Sequence, residues 1–227
     1  MSRPNAPAAI FDLDGTLVDS FDAHSIAWSR MGDRHGVPIT AEQFERHFGR
    51  RNEQMLREIW LEAGRGELTD ADIARLDHEK EAIYRELVAG TFPVMDGGPE
   101  LLRSLRDAGW KLAVGSSAPP ENVAVAIDGI GAHDLFHATV RGRDVRLGKP
   151  EPECFLLAAE RLGIPPSRCV VIEDAPAGIT AALRAGMRCV AITSKGHHPE
   201  RQRDAHVLVR SLRELSPASL AALLATA

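Results

Sequence analysis

The stretch Ala8-Ala9-Ile10-Phe11-Asp12-Leu13-Asp14-Gly15-Thr16 decides the fold. Four consecutive apolar residues suit a strand buried on both faces, and the run stops at Asp-x-Asp-Gly, a composition that turns the chain. Working outward, the same grammar returns from residue 99. Pro99 to Ala108 carries leucines at helical spacing (Leu101, Leu102, Leu105), opens on proline and is followed by Gly109. Lys111 to Ser116 reads as a strand, Pro119 to Asp128 as a helix, Ala138 to Val140 as a short strand, and Pro152 to Leu162 as a helix closed by Gly163. Arg168 to Ile172 is a strand, Ala177 to Ala185 a helix closed by Gly186, and Arg188 to Thr193 and His206 to Val209 are strands. The Ala/Leu-rich tail from Ser216 reads as a helix packed on the sheet. Short apolar strands alternating with helices specify a doubly wound parallel sheet, a Rossmann-like α/β core covered on both faces.

Residues 23 to 90 break this rhythm. Met55, Leu56, Ile59, Trp60 and Ala63 recur at helical spacing, as do Ile73, Leu76, Ile83 and Leu87, with Lys80 a polar break in the stripe. Thr40-Ala41-Glu42-Gln43 is a capping box that starts a helix. A βαβ crossover needs only about 30 residues, so the excess between the first strand and Lys111 is an inserted helical domain. The expected division is a core of residues 1–21 and 92–227 and an α-helical insertion of residues 22–91. The charged stretch from Asp70 to Glu86 reads as the solvated face of its helix.

Composition narrows the function classes. With 227 residues, 44% hydrophobic and 26% charged with both signs mixed, the chain can bury a core without staples. A net charge of −5 lacks the basic footprint of a nucleic-acid binder. No apolar run approaches the roughly 20 residues of a membrane span, and Met1 to Ala9 shows no signal-peptide core. Three cysteines without CxxC spacing exclude a disulfide framework and a cysteine-rich zinc site. Cys169 and Cys189 lie in apolar runs and read as buried thiols. The expected compartment is a reducing cytoplasm.

Four short segments carry chemistry, and each also has a plainer structural reading. Asp12-Leu13-Asp14-Gly15-Thr16 leaves a strand where open α/β sheets bind ligands. One carboxylate there can attack phosphorus and the other can move protons, while Gly15 lets main-chain N–H groups approach a phosphate; Asp and Gly are equally common in an ordinary turn. In Val114-Gly115-Ser116-Ser117 a hydroxyl can donate to a phosphate oxygen or cap a helix. In Gly148-Lys149-Pro150 the lysine is a fixed positive charge for phosphate or a surface residue; the Walker spacing is absent. Glu173-Asp174 at the end of an apolar strand offers hard oxygen ligands suited to Mg²⁺, or favours a helix dipole. All four fall at strand ends or in adjacent loops, so one crevice would collect carboxylates, a hydroxyl and a lysine, a set suited to in-line phosphoryl transfer with Mg²⁺. His197-His198, adjacent in a Lys-Gly-His-His-Pro loop, reads as a surface turn.

As an ordered set, DLDGT, the Ser after the hydrophobic strand, the GKP lysine and the Glu-Asp pair resemble the four motifs of the haloacid dehalogenase-like superfamily, over essentially the whole chain. The resemblance implies Asp12 as nucleophile and Asp14 as general acid/base, with Ser116 and Lys149 holding the transferring phosphoryl group. It implies Mg²⁺ on Asp12, the Asp14 carbonyl and Asp174, with Glu173 beside it, and phosphate contacts from Gly15, Thr16 and Ser117. The insertion is similar to the α-helical cap that closes over the site in one subgroup. Asp14 argues against dehalogenation, because dehalogenases lack that second Asp. Glu173-Asp174 followed by Ala-Pro-Ala-Gly looks like the branch of β-phosphoglucomutases and sugar-phosphate phosphatases. His24 and Trp28 resemble the mutase pattern, where a His could distinguish substrate from water or serve only as a hinge. Two departures favour hydrolysis: Ala118 and Pro119 stand where mutases tend to carry a Ser and a Lys, and Asn52 aligns with the mutase arginine while Arg50 and Arg51 lie just before it. Arg50, Arg51 and Asn52 are candidates for substrate selection, or a solvated helix start. The expected partner is a small phosphorylated metabolite, a sugar or polyol phosphate. A non-catalytic phospholigand-binding module would be expected to lose Asp12 or Asp14, and both are present.

Overall fold

The computed structural model describes residues 6–48 and 50–226. Two compact units form: one takes the chain up to Asp19 and from Val94 onward, the other is Ser20–Pro93. The first holds one six-stranded, all-parallel sheet of β1 (Ala8–Phe11), β2 (Lys111–Gly115), β3 (Ala138–Val140), β4 (Cys169–Glu173), β5 (Arg188–Ile192) and β6 (Val207–Val209), in the order β3-β2-β1-β4-β5-β6. All four residues of β1 and all five of β4 are buried, so neither face of the central strands meets water. That is why these strands are apolar throughout rather than alternating.

The helices of the Ser20–Pro93 unit are α1 (Phe21–Arg34), α2 (Ala41–His47), α3 (Asn52–Glu62) and α4 (Asp70–Val88); those of the sheet unit are α5 (Gly98–Asp107), α6 (Pro120–Ile130), α7 (Glu153–Leu162), α8 (Pro176–Arg184) and α9 (Pro217–Ala225). Alternate residues Ala8 and Ile10 of β1 join Ala113, Val171 and Cys189 in one core layer with Phe155 and Ala158 of α7 and Ile179 and Ala182 of α8. Helices α5 and α9 also pack on the strands, α5 on β2 and α9 on β4. Cys154, Cys169 and Cys189 are buried free thiols. Among the described residues no helix is long and apolar enough to cross a membrane.

In the other unit, α1 packs along α4, and Trp28, Met31, Leu56, Ile59, Leu76 and Ile83 form its core. The capping box at Thr40 forms, with Gln43 returning the bond to the Thr40 N–H. The Asp70–Glu86 stretch is not a uniformly solvated face: Lys80 and Glu81 are both buried. Lys80 falls on the stripe of Ile73, Leu76 and Ile83, and its ammonium is satisfied there by Glu81 Oε1 (2.7 Å), His24 Nδ1 (2.8 Å) and the faces of the Trp28 and Tyr84 rings. A buried charge persists only when paired in this way.

Candidate active site

Register brings the acidic residues together. Phe11 stands level with Val114 on β2 and Ile172 on β4, so Asp12 and Glu173 leave the sheet side by side at its carboxyl edge. The Asp12 N–H still donates to the Ile172 carbonyl at 3.0 Å, which fixes where its side chain starts. Strand order runs 3-2-1 to one side of this seam and 4-5-6 to the other, the switch point at which open α/β sheets bind ligands. Oxygens of Asp12, Glu173 and Asp174, all buried, lie within 4.8 Å of one another. Lys149, from the loop before α7, reaches into the group: its Nζ donates to Asp12 Oδ1 at 2.5 Å and Glu173 Oε1 at 2.8 Å, and lies 4.8 Å from the centre of the Phe155 ring.

The electrostatics follow from that crowding. Burial first, then the Glu173 and Asp14 charges, push the Asp12 carboxyl up to about 7 against the pull of Lys149. Asp174 is likewise raised well above the usual carboxylate range by burial and by Glu173 and Asp12, with the Ser194 hydrogen bond opposing. Burial alone would lower Lys149; the Asp12 and Glu173 carboxylates outweigh it and hold the ammonium charged. Three carboxylates facing one ammonium leave negative charge that protons or a cation must offset. The donor set, three carboxylates with oxygens within 4.8 Å of one another, fits a hard divalent cation.

The turn after β1 is built around these groups. Gly15 has φ +80°, and a Cβ there would lie 1.9 Å from Asp174 Oδ2, so the position demands glycine twice over. The Gly15 and Thr16 N–H groups do not point to a ligand as the sequence suggested: they are spent within the turn, on the carbonyls of Val18 (2.8 Å) and Leu13 (3.1 Å). Gly15 therefore shapes the loop, and the buried Thr16 hydroxyl faces Asp174 Oδ1 at 3.5 Å. Ser116 is buried just past β2; its Oγ accepts from the Ala118 N–H at 3.0 Å, and Ser117 is exposed beside it. Glu173 is gripped from the other side, where its Oε2 accepts from the Ala175 N–H at 2.5 Å.

A model of the haloacid dehalogenase-like hydrolases matches residues 6–186. The chain belongs to the haloacid dehalogenase-like hydrolase family. It is 34% identical over 214 residues to validoxylamine A 7'-phosphate phosphatase of Streptomyces hygroscopicus subsp. limoneus, covering 91% of this chain and 94% of that one. It is 33% identical over 209 residues to hexitol phosphatase A of Escherichia coli K12, covering 91% and 92%. The crystal structure of β-phosphoglucomutase from Clostridium difficile superposes with a TM-score of 0.86 at 26% identity, covering 98% of each chain. The four segments singled out in the sequence lie at the ends of β1, β2 and β4 and in the loop before α7.

The remaining candidates lie in the Ser20–Pro93 unit and are tied up to different degrees. His24 is buried, stacked on Tyr84 at 4.0 Å and bonded to Lys80. Arg50 makes a two-pronged pair with Glu58 (2.9 and 2.6 Å) and also reaches His47 Nδ1. The Asn52 amide donates to Asp77 and Glu81, both at 2.6 Å. Arg51 is exposed at the start of α3.

Near Asp174, Ser194 and Gln202 escaped the sequence reading, and His197 was read there as part of a surface turn. Ser194 Oγ donates to Asp174 Oδ2 at 2.6 Å, Gln202 Nε2 donates to the Asp174 carbonyl at 2.5 Å, and His197 Nε2 lies 3.8 Å from Oδ2. The expected surface turn at His197-His198 is corrected in its first half: His197 is buried, and burial lowers its pKa to about 4, so the ring is neutral. The one available signal was place: Ser194 lies two residues past β5, at the same carboxyl edge where Asp12 immediately follows β1.

Proposed function

We propose that this protein is a Mg²⁺-dependent phosphatase of small phosphomonoesters, of the sugar or polyol phosphate class, working through an aspartyl-phosphate on Asp12. The observation that carries the reading is the buried Asp12 carboxylate, held by Lys149 and flanked by Glu173 and Asp174 at the switch point of the sheet. Asp12 attacks phosphorus, a P–O bond to its carboxylate forms, and the bond to the substrate alcohol breaks as Asp14 protonates the leaving oxygen. Asp14 then takes a proton from water as that water attacks the same phosphorus, which releases inorganic phosphate and frees Asp12. Lys149 and Ser116 hold the phosphoryl oxygens between the two halves. Mg²⁺, when bound by Asp12, the Asp14 carbonyl and Asp174 with Glu173 alongside, supplies charge neutralisation for the transferring group.

Hydrolysis is favoured over phosphosugar isomerisation because Ala118 and Pro119 stand where mutases tend to carry a Ser and a Lys for a second phosphate. Arg50 and Asn52 are committed to Glu58, Asp77 and Glu81. Two relatives matched over nine-tenths of this chain are also named phosphatases. The test is phosphate release from a panel of sugar and polyol phosphates with Mg²⁺ or EDTA, including β-glucose 1-phosphate primed with a bisphosphate and scored for glucose 6-phosphate. Mg²⁺-dependent release that Asp12→Asn abolishes is the expected result. Isomerised product with little free phosphate would establish the mutase instead.

A further inference from the structure

Resting on that reading, we infer that the loop after β5 is a part of the metal site, with Ser194 and Gln202 as positioning residues that set how tightly Asp174 holds its cation. The β4–β5 ladder ends at the pair Glu173 and Ala191. One residue further on, the carbonyls of Asp174 and Ile192 have run out of strand partners. Gln202, fully buried, supplies both missing donors from one amide: its Nε2 lies 2.5 Å from the Asp174 carbonyl and 2.8 Å from the Ile192 carbonyl. The main chain of Asp174 is thereby clipped to the end of β5. The neighbouring Thr193 N–H donates to the Val209 carbonyl of β6 at 2.9 Å, which anchors the base of the same loop to the sheet.

Ser194 then fixes the side chain. A hydroxyl has one proton, and here it has two acceptors within reach, Asp174 Oδ2 at 2.6 Å and the Lys195 carbonyl at 3.2 Å. The shorter, charge-assisted contact takes it. With the backbone clipped by Gln202 and Oδ2 held by Ser194, the carboxylate has no free rotation about its Cβ–Cγ bond. The same oxygen occupies the space that a side chain on Gly15 would take, 1.9 Å from where its Cβ would lie. Partners that orient a ligand in this way govern metal affinity without touching the ion. The loop carrying them lies outside all four motif segments, so variation there would tune metal affinity while the motifs stay intact.

The test reads metal binding without turnover. Mg²⁺ alone is titrated calorimetrically into wild type, Ser194→Ala, Ser194→Thr and Asp174→Ala, and each protein is melted in EDTA. Ser194→Ala should weaken Mg²⁺ binding by about 10- to 100-fold with an unchanged melting midpoint in EDTA, and Ser194→Thr should restore the affinity. Equal affinity in wild type and Ser194→Ala overturns this inference and leaves the phosphatase reading standing. A Ser194→Ala protein whose midpoint in EDTA falls, without rescue by threonine, assigns Ser194 to the fold and also overturns it. Wild type with no more Mg²⁺ binding than Asp174→Ala overturns both readings.

Discussion

A Cβ on Gly178 would lie 1.6 Å from Glu173 Oε1, and one on Gly15 would lie 1.9 Å from Asp174 Oδ2. The two glycines thus make room for the two acids of β4's end, but they differ in backbone. Gly178 is inside α8, where alanine is ordinarily better by about 1 kcal/mol; Gly15 sits at φ +80°, where any side chain is strained by on the order of 1–3 kcal/mol. Gly178→Ala should therefore leave the melting midpoint nearly unchanged, the helix gain offsetting the displaced Glu173, yet lower kcat/KM by at least about tenfold, the scale of a lost charge-assisted bond between Glu173 and Lys149. Gly15→Ala should lower both. Equal loss of stability in the two variants would contradict this division. At this scale the sequence was most legible where chemistry and turn geometry coincide: Asp12, Gly15, Lys149, Glu173 and Asp174 could be named from short motifs. Ser194 and Gln202 were not, because beyond a place past a strand nothing local distinguishes a loop serine or glutamine that meets a carboxylate 20 or 28 residues away.

Each edge strand of the sheet is fastened by a histidine just before it. The His137 N–H donates to the Leu112 carbonyl (2.8 Å) and its Nδ1 accepts from the Leu112 N–H (3.1 Å); His206 does the same with Cys189, at 3.0 and 3.1 Å. Leu112 and Cys189 are each the second residue of their strands, so β3 and β6 are clamped to β2 and β5 by one device used twice. The device needs a neutral ring, and both pKa values are lowered in the fold, by burial first and then by Arg106 at His137 and Arg188 at His206. The unfolded chain therefore takes up protons first. The contribution of the clamps is present above about pH 6.5 and is lost as pH falls from there through the lower folded-state values. The amide resonances of Leu112 and Cys189 should titrate with midpoints below 6.5, and His206→Ala should remove the Cys189 titration while sparing Leu112. Amides that stay flat from pH 7 to 5 would rule the clamps out. Strand positions were readable from apolar runs to within a residue or two, but the clamps were not, since they depend on which strands become neighbours. Lys80 in α4 was opaque for a related reason: its partner His24 is 56 residues away in α1.

At the scale of the molecule, the alternation of apolar strands and helices made the sheet legible, and a helical stretch too long for a crossover suggested an insertion over residues 22–91, where the fold forms a compact unit of Ser20–Pro93. The charge balance at the carboxyl edge was readable only in outline. The fold buries Asp12, Glu173 and Asp174 against a single Lys149, and without a metal part of the neutralising falls to protons, with Asp12 raised to about 7. A cation that binds the folded protein and not the unfolded chain stabilises it by mass action, about 2.7 kcal/mol at a concentration 100-fold above Kd. For a chain of this size that corresponds to a rise in Tm of roughly 5–11 °C. The metal must displace protons from carboxylates whose pKa values are raised, so its affinity climbs with pH, and the rise in Tm at a fixed Mg²⁺ concentration should be larger at pH 8 than at pH 6. Melting in EDTA and in Mg²⁺ at matched ionic strength, at both pH values, measures this directly. Asp174→Ala should erase the difference between the two buffers, because it removes one of the three carboxylates that bring the negative charge into excess. A Tm indifferent to Mg²⁺ at pH 8 in the wild-type protein would mean that protons and Lys149 alone satisfy the cluster.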